Sequence, residues 1–201
     1  MAIGTAIVLM YTLAGGMFSV AFTDLFQMCV ILLGMVYLAF VVSGIAGGAG
    51  VVIGHAASAG KFEFLPEFEP RAMIAFFAAW ITMGFGSIPQ QDVFQRVSAA
   101  KDEKTAGRGS VIGGCVYFIF AFIPMYLAYS ATLIDPAMVN SHINADSQYI
   151  LPKLILQHTP LAAQVIFFGA LLAAIMSCSS ATLLAPSVTF AENVLRPFLP
   201  K

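Results

Sequence analysis

An all-α fold, a polytopic bundle of membrane helices forming a single transmembrane domain over residues 1–201, is what this sequence predicts. Hydrophobic residues make up 60% of the chain and charged residues 9%, where soluble domains average about 25% charged. Too few ions are present to build a water-facing surface. Mean hydropathy is +0.90. Several apolar runs reach the roughly 20 residues that a bilayer-crossing helix needs, with glycine, proline and charged residues collected between them. A multi-pass protein of the cell (plasma or inner) membrane is expected.

About five membrane segments follow in order. Residues 2–14 are apolar but short, with about ten apolar residues before Tyr11 where about 20 are needed. They read as the second half of a helix, so the chain is expected to begin inside a helix of a longer protein. No basic n-region or small-residue cleavage site marks a signal peptide. After Gly15-Gly16, residues 19–45 are long enough to span, and they run into a Gly-rich stretch, 44–60, that suits an external loop. Residues 62–70, acidic and punctuated by proline, are extramembranous. The next span, 71–88, ends at the break Gly84-Phe-Gly-Ser-Ile-Pro89. A polar loop with Arg96, Lys101, Lys104 and Arg108 leads to the span 111–134, where Pro124 is a candidate kink. A second polar loop, 135–159, precedes the last span, 161–188.

Lysine and arginine bias orients the bundle. With the 96–108 loop and the C-terminus in the cytoplasm, Arg96, Lys101, Lys104, Arg108, Arg196 and Lys201 lie inside, and only Lys61, Arg71 and Lys153 outside. Asp24 then sits near the inner face. Net charge is −1, so composition implies no nucleic-acid partner. Cys29, Cys115 and Cys178 stand apart in apolar runs without CxxC spacing, and are expected to be buried free thiols. His55, His142 and His158 fall in the expected outer loops, where solvation is the commoner state. HExxH, GxxxxGK[ST] and GxSxG patterns are absent, so the sequence displays no catalytic machinery and is not read as an enzyme.

Three places carry candidate chemistry. Asp24 is an acid between strongly apolar segments, and such an acid needs a partner or a task. It suits a first-turn residue of the helix beginning near Ser19, or a carboxylate on a cation's way to the cytoplasm. The residues leave both open. Thr23 and Gln27 supply nearby polar groups. The second place is the hydroxyl cluster of the last span, Ser177-Cys178-Ser179-Ser180. Ala174, Ser177 and Cys178 fall at i, i+3 and i+4 on one helical face, and oxygen ligands there suit a hard cation. Packing faces in membrane bundles are also rich in small and hydroxyl residues, and on the residues alone packing is the commoner reading. The break at 84–89 is either a kink or the interrupted helix at which transporters bind solute; Trp80, Thr82 and Ser87 would line it.

Three segments together carry a resemblance. They are YTLAGGMFSVAFTDLFQ at 11–27, QRVSAAK at 95–101 and the serine-rich last helix. In order and spacing they resemble the sodium:solute symporter family, which includes sodium-coupled carriers of sugars, proline, choline and pantothenate. The resemblance implies a partial LeuT-like core of inverted repeats, working by alternating access with Na⁺ as coupling ion, no other cofactor or metal, and a small organic solute and the lipid bilayer as partners. By position it implies that Ser177 contributes a hydroxyl and Ala174 a carbonyl to sodium, and that Asp24, beside Thr23, lies on the ion's exit path. Cys178 stands where the family has a second hydroxyl. A thiol is a poor sodium ligand, so affinity is weakened, a carbonyl or Ser180 substitutes, or another ion couples. The resemblance also implies that the broken helix supplying the remaining ligands is not in this sequence. The chain is thus expected to be an incomplete part of a transporter, lacking the remainder of its core. The rival reading is a non-transporting membrane scaffold or assembly subunit, which would respond to sodium no differently than to other monovalent cations.

Overall fold

The computed structural model describes residues 2–63, 65, 66, 68–86, 88, 90–143 and 146–198. Ser87, Pro89 and Lys201 of the sequence reading lie outside the described residues. Helices account for almost all of the rest, and among the described residues there is no strand.

Three long helices dominate: α1 (Ala2–Ile45), α5 (Glu103–Ile134) and α8 (Leu161–Phe190). Shorter ones connect them: α2 (Ala49–Ser58), α3 (Pro70–Gly86), α4 (Gln91–Ser98), α6 (Pro136–His142) and α7 (Ile150–His158). By length and composition Ala6–Ile45, Glu103–Ile134 and Leu161–Phe198 are suited to cross a membrane. The all-helical membrane architecture read from composition is therefore the one observed. At 17 residues, α3 stands just at the lower limit for a span.

Backbone chemistry explains the interruptions. Gly16 takes φ 53°, ψ −141° inside α1, a conformation with little cost only for glycine, and it divides α1 into two helical segments about a kink. A Cβ at Gly15 would overlap the Cβ of Ser19. The far end of α1 closes with Gly47 at φ 87°, while the Gly48 amide donates to the Ser43 carbonyl at 2.8 Å. This is the glycine cap that satisfies the last carbonyls of a helix.

Several stretches read as loops are helical. The Gly-rich 44–60 stretch holds α2, with Val52 and Ala56 buried four residues apart. The 96–108 segment is the end of α4 and the first turns of α5, with four residues between them. The 135–159 stretch holds α6 and α7. In α2, α6 and α7 short apolar faces are buried, and burial of such faces outweighs the local glycine and polar residues. Pro124 sits inside the continuous helix α5.

The chain divides into two compact units. One comprises residues 1–24, 63–114 and 176–201; among its described residues Val8, Val20, Ser180 and Ala185 are buried. The other comprises 25–62 and 115–175. Its core gathers Met35, Leu38 and Val42 of α1, Leu127 and Ala131 of α5, Met138 and Val139 of α6, Leu154 and Ile155 of α7, and Ala163 and Phe167 of α8. Within it Asp135 caps α6, accepting from the Met138 amide at 2.9 Å, and pairs with His158 at 3.3 Å. The Met138 hydrogen bond first, and His158 after it, hold the Asp135 carboxyl below its ordinary value of 3.8. None of the three histidines is left to solvent alone. His55 pairs with the Tyr129 hydroxyl at 2.7 Å, and Lys153 donates to His142 Nε2 at 2.6 Å.

Candidate functional site

Within the first unit, three residues far apart in sequence meet at one carboxylate. Asp24 Oδ2 accepts from an Arg96 Nη2 at 2.8 Å, and Asp24 Oδ1 accepts from the Ser177 hydroxyl at 2.6 Å. The acid is well covered, with 19% of its side chain exposed, and the guanidinium is half open at 43%. Asp24 comes from α1, Arg96 from α4 and Ser177 from α8. Both hydrogen bonds are charge-assisted, the strong kind.

Each element brings its residue there for a local reason. The kink at Gly16 restarts α1, and Asp24 follows about two turns later. That distance removes it from the first turn, where a helix N-terminus favours an acid, so the first-turn reading does not hold. Thr23 does not serve as its partner either. The Thr23 hydroxyl bonds back to the Ser19 and Val20 carbonyls, each at 2.9 Å. Helix α4 is short and strongly amphipathic, and its neighbouring residues Gln95 and Arg96 both reach out of it. The Gln95 amide nitrogen donates to the Ala185 carbonyl of α8 at 3.4 Å, while Arg96 reaches α1.

On α8 the hydroxyls differ. Ser180 is wholly buried and donates to the Ser177 carbonyl at 2.8 Å. Cys178 is exposed rather than buried, as are Cys29 and Cys115. Its carbonyl accepts from Thr182 at 2.9 Å. Ala174 belongs to the second unit and is half-buried there. Trp80 is 58% exposed beside Phe76 on α3, and the Thr82 hydroxyl bonds back to the Ala78 carbonyl at 2.8 Å. Neither takes part in the bonds at Asp24. Next to the Gln95 tie lies an open cleft of about 470 Å³, lined by Gly16, Met17, Phe94, Gln95, Leu184 and Val188 among others.

Arg96 is the residue that sequence reasoning missed as a site member. It counted only toward orientation and the QRxxAAK pattern. The signal was present, since an acid in apolar surroundings needs a counter-charge and Arg96 is the first base after the break at 84–89. Among the described residues no group of three or more histidine, cysteine or acidic side chains is arranged to hold a metal. Oxygen donors such as those of Asp24 and Ser177 belong with hard cations rather than soft ones.

Comparison with known proteins gives the family. The family model "Sodium:solute symporter family" matches residues 1–201. The high-affinity choline transporter 1 of Drosophila melanogaster is 27% identical over 96% of this chain and 31% of its own length. The sodium/pantothenate symporter of Haemophilus influenzae is 28% identical over 92% of this chain and 37% of its own. For the sodium/glucose cotransporter of Vibrio parahaemolyticus the values are 26%, 95% and 39%. The chain therefore spans about a third of the length of the curated relatives it matches. No solved structure matches it at a significant level. The match over the full 201 residues shows that the chain belongs to the sodium:solute symporter family.

Proposed function

We propose that this chain is the part of a sodium-coupled symporter that holds and releases the coupling ion, moving a small organic solute by alternating access. The observation that carries this reading is the bond between Ser177 and Asp24, which joins the hydroxyl helix to the acid in a chain of this family. The Ser177 oxygen keeps lone pairs while its proton is given to Asp24. A sodium ion beside it has a hydroxyl oxygen, a helix carbonyl and a nearby carboxylate as hard ligands. Ser180, wholly buried one turn on, is the second hydroxyl in this proposal, in place of Cys178 with its soft, exposed sulfur. Ala174, in the other unit, is not required by it.

Arg96 gives the site a release step. Sodium and the guanidinium compete for the same carboxylate, so the Arg96–Asp24 pair, 2.8 Å apart, opposes sodium there and favours its departure into the open cleft beside Gln95. Differential affinity of sodium for the two states drives the cycle. The solute stays at the level of a small organic molecule. The relatives' names speak of choline, pantothenate and glucose, a cation, an anion and a neutral sugar, and no single binding chemistry unites them.

Uptake under an inward sodium gradient, measured on the whole gene product that carries this sequence, tests the proposal. Ser177→Ala is expected to abolish sodium-dependent uptake with the protein still in the membrane. Wild-type uptake by that variant would sink the assignment.

A further inference from the structure

The connection between α4 and α5 carries a feature that ion coupling does not use. Lys104 is the second residue of α5 and Arg108 lies four residues on, so the two cations stand one above the other on the helix surface. Lys101 precedes Lys104 by three residues. All three are exposed, and among the described residues none of them forms an ion pair. Arg96, by contrast, is paired with Asp24. A cation in the first turn of a helix is opposed by the helix dipole, so Lys104 does not stabilise α5. The acids alongside are Asp102 and Glu103. Asp102 accepts from the Thr105 amide at 2.7 Å and caps the helix.

Apolar surface lies on either side. Val111 and Ile112, about one turn past Arg108, are 67% and 63% exposed at the start of the apolar length of α5. Before the connection, Val93, Phe94 and Val97 of amphipathic α4 are 40%, 62% and 43% exposed. Cations between apolar faces match the interface of a bilayer, where acyl chains meet charged headgroups.

We infer that Lys101, Lys104 and Arg108, with the apolar face of α4, form a binding surface for anionic phospholipid headgroups. The partner is a phosphodiester lipid of net negative charge, and a zwitterionic lipid satisfies the surface less well. The surface shares Phe94 with the cleft beside Gln95, but its three cations are other residues than Asp24, Arg96 and Ser177, and each is worth about a fivefold preference near an anionic leaflet.

The test uses the full 201-residue chain released from vesicles of equal phosphatidylcholine and phosphatidylglycerol, with retained lipid counted by mass spectrometry. Phosphatidylglycerol is expected to dominate the retained lipid. The variant Lys101→Gln/Lys104→Gln/Arg108→Gln, at unchanged helical content, is expected to lose that preference by at least about tenfold. Lys101→Arg/Lys104→Arg/Arg108→Lys is expected to keep it. Should the neutral variant fail to fold, the wild-type chain alone decides: washing in about 1 M KCl, where screening acts within about 3 Å, must erase the preference. Equal retention of the two lipids by the wild type, a preference unchanged in the folded neutral variant, or one that survives high salt overturns the inference.

Discussion

At Asp24 the two carboxylate oxygens have unlike partners, a guanidinium and a hydroxyl, and this asymmetry sets what each substitution does. Ser177→Ala removes a hydrogen bond to a charged group, a loss of roughly 1.5–3 kcal/mol, and also the hydroxyl proposed to touch sodium. Thermal unfolding in KCl reads the first effect, and the added shift on changing to NaCl reads the second. Arg96→Gln leaves Ser177 in place but removes the competitor for the carboxylate. Sodium should then bind several-fold more tightly, seen as a lower half-saturating concentration in radioactive sodium binding; weaker binding would contradict a release role. Cys178→Ser should tighten sodium binding only if that position contacts the ion, so an unchanged affinity is expected, whereas Ser180→Ala should weaken it.

Elements follow from local rules that can be tested one at a time. Gly15→Ala forces a methyl against the Ser19 Cβ and should lower stability by about 1–3 kcal/mol, as overpacking does. Gly44→Ala, with nothing within 4 Å of the added carbon, is the control and should be neutral or slightly stabilising in the same unfolding measurement. Asp135 ties α6 to α7, and its folded pKa lies below the ordinary 3.8. Its contribution is therefore complete above the ordinary value and vanishes as pH falls through the lower native one. Asp135→Asn should flatten the acid limb of the stability profile below about pH 4. The long helices were legible as membrane helices because apolar side chains predominate over 30 to 44 residues, and the Gly15-Gly16 pair, read as the boundary between two membrane segments, is the site of the kink inside α1. By contrast, α2, α6 and α7 were not legible. Each is ten residues or fewer, and each buries a pair of residues, Val52 and Ala56 in α2, Met138-Val139 in α6 and Leu154-Ile155 in α7, a burial that local composition does not announce.

For the whole molecule, composition alone dictated the membrane class, and three short motifs pointed to the family that matches the full chain. The candidate site was half legible. Asp24 and Ser177 were singled out separately, but their bond across 153 residues and the part of Arg96 depend on how α1, α4 and α8 assemble, which periodicity does not encode. The central claim is that this assembly binds sodium. Its most direct measurement is thermal unfolding of the purified whole gene product that carries this sequence, in NaCl, KCl and N-methyl-D-glucamine chloride at equal ionic strength. A sodium-specific rise is predicted, amounting to about 1.4 kcal/mol at tenfold excess over Kd, present in the wild type and absent in Ser177→Ala. Identical unfolding in the three salts would contradict the account and favour a membrane scaffold.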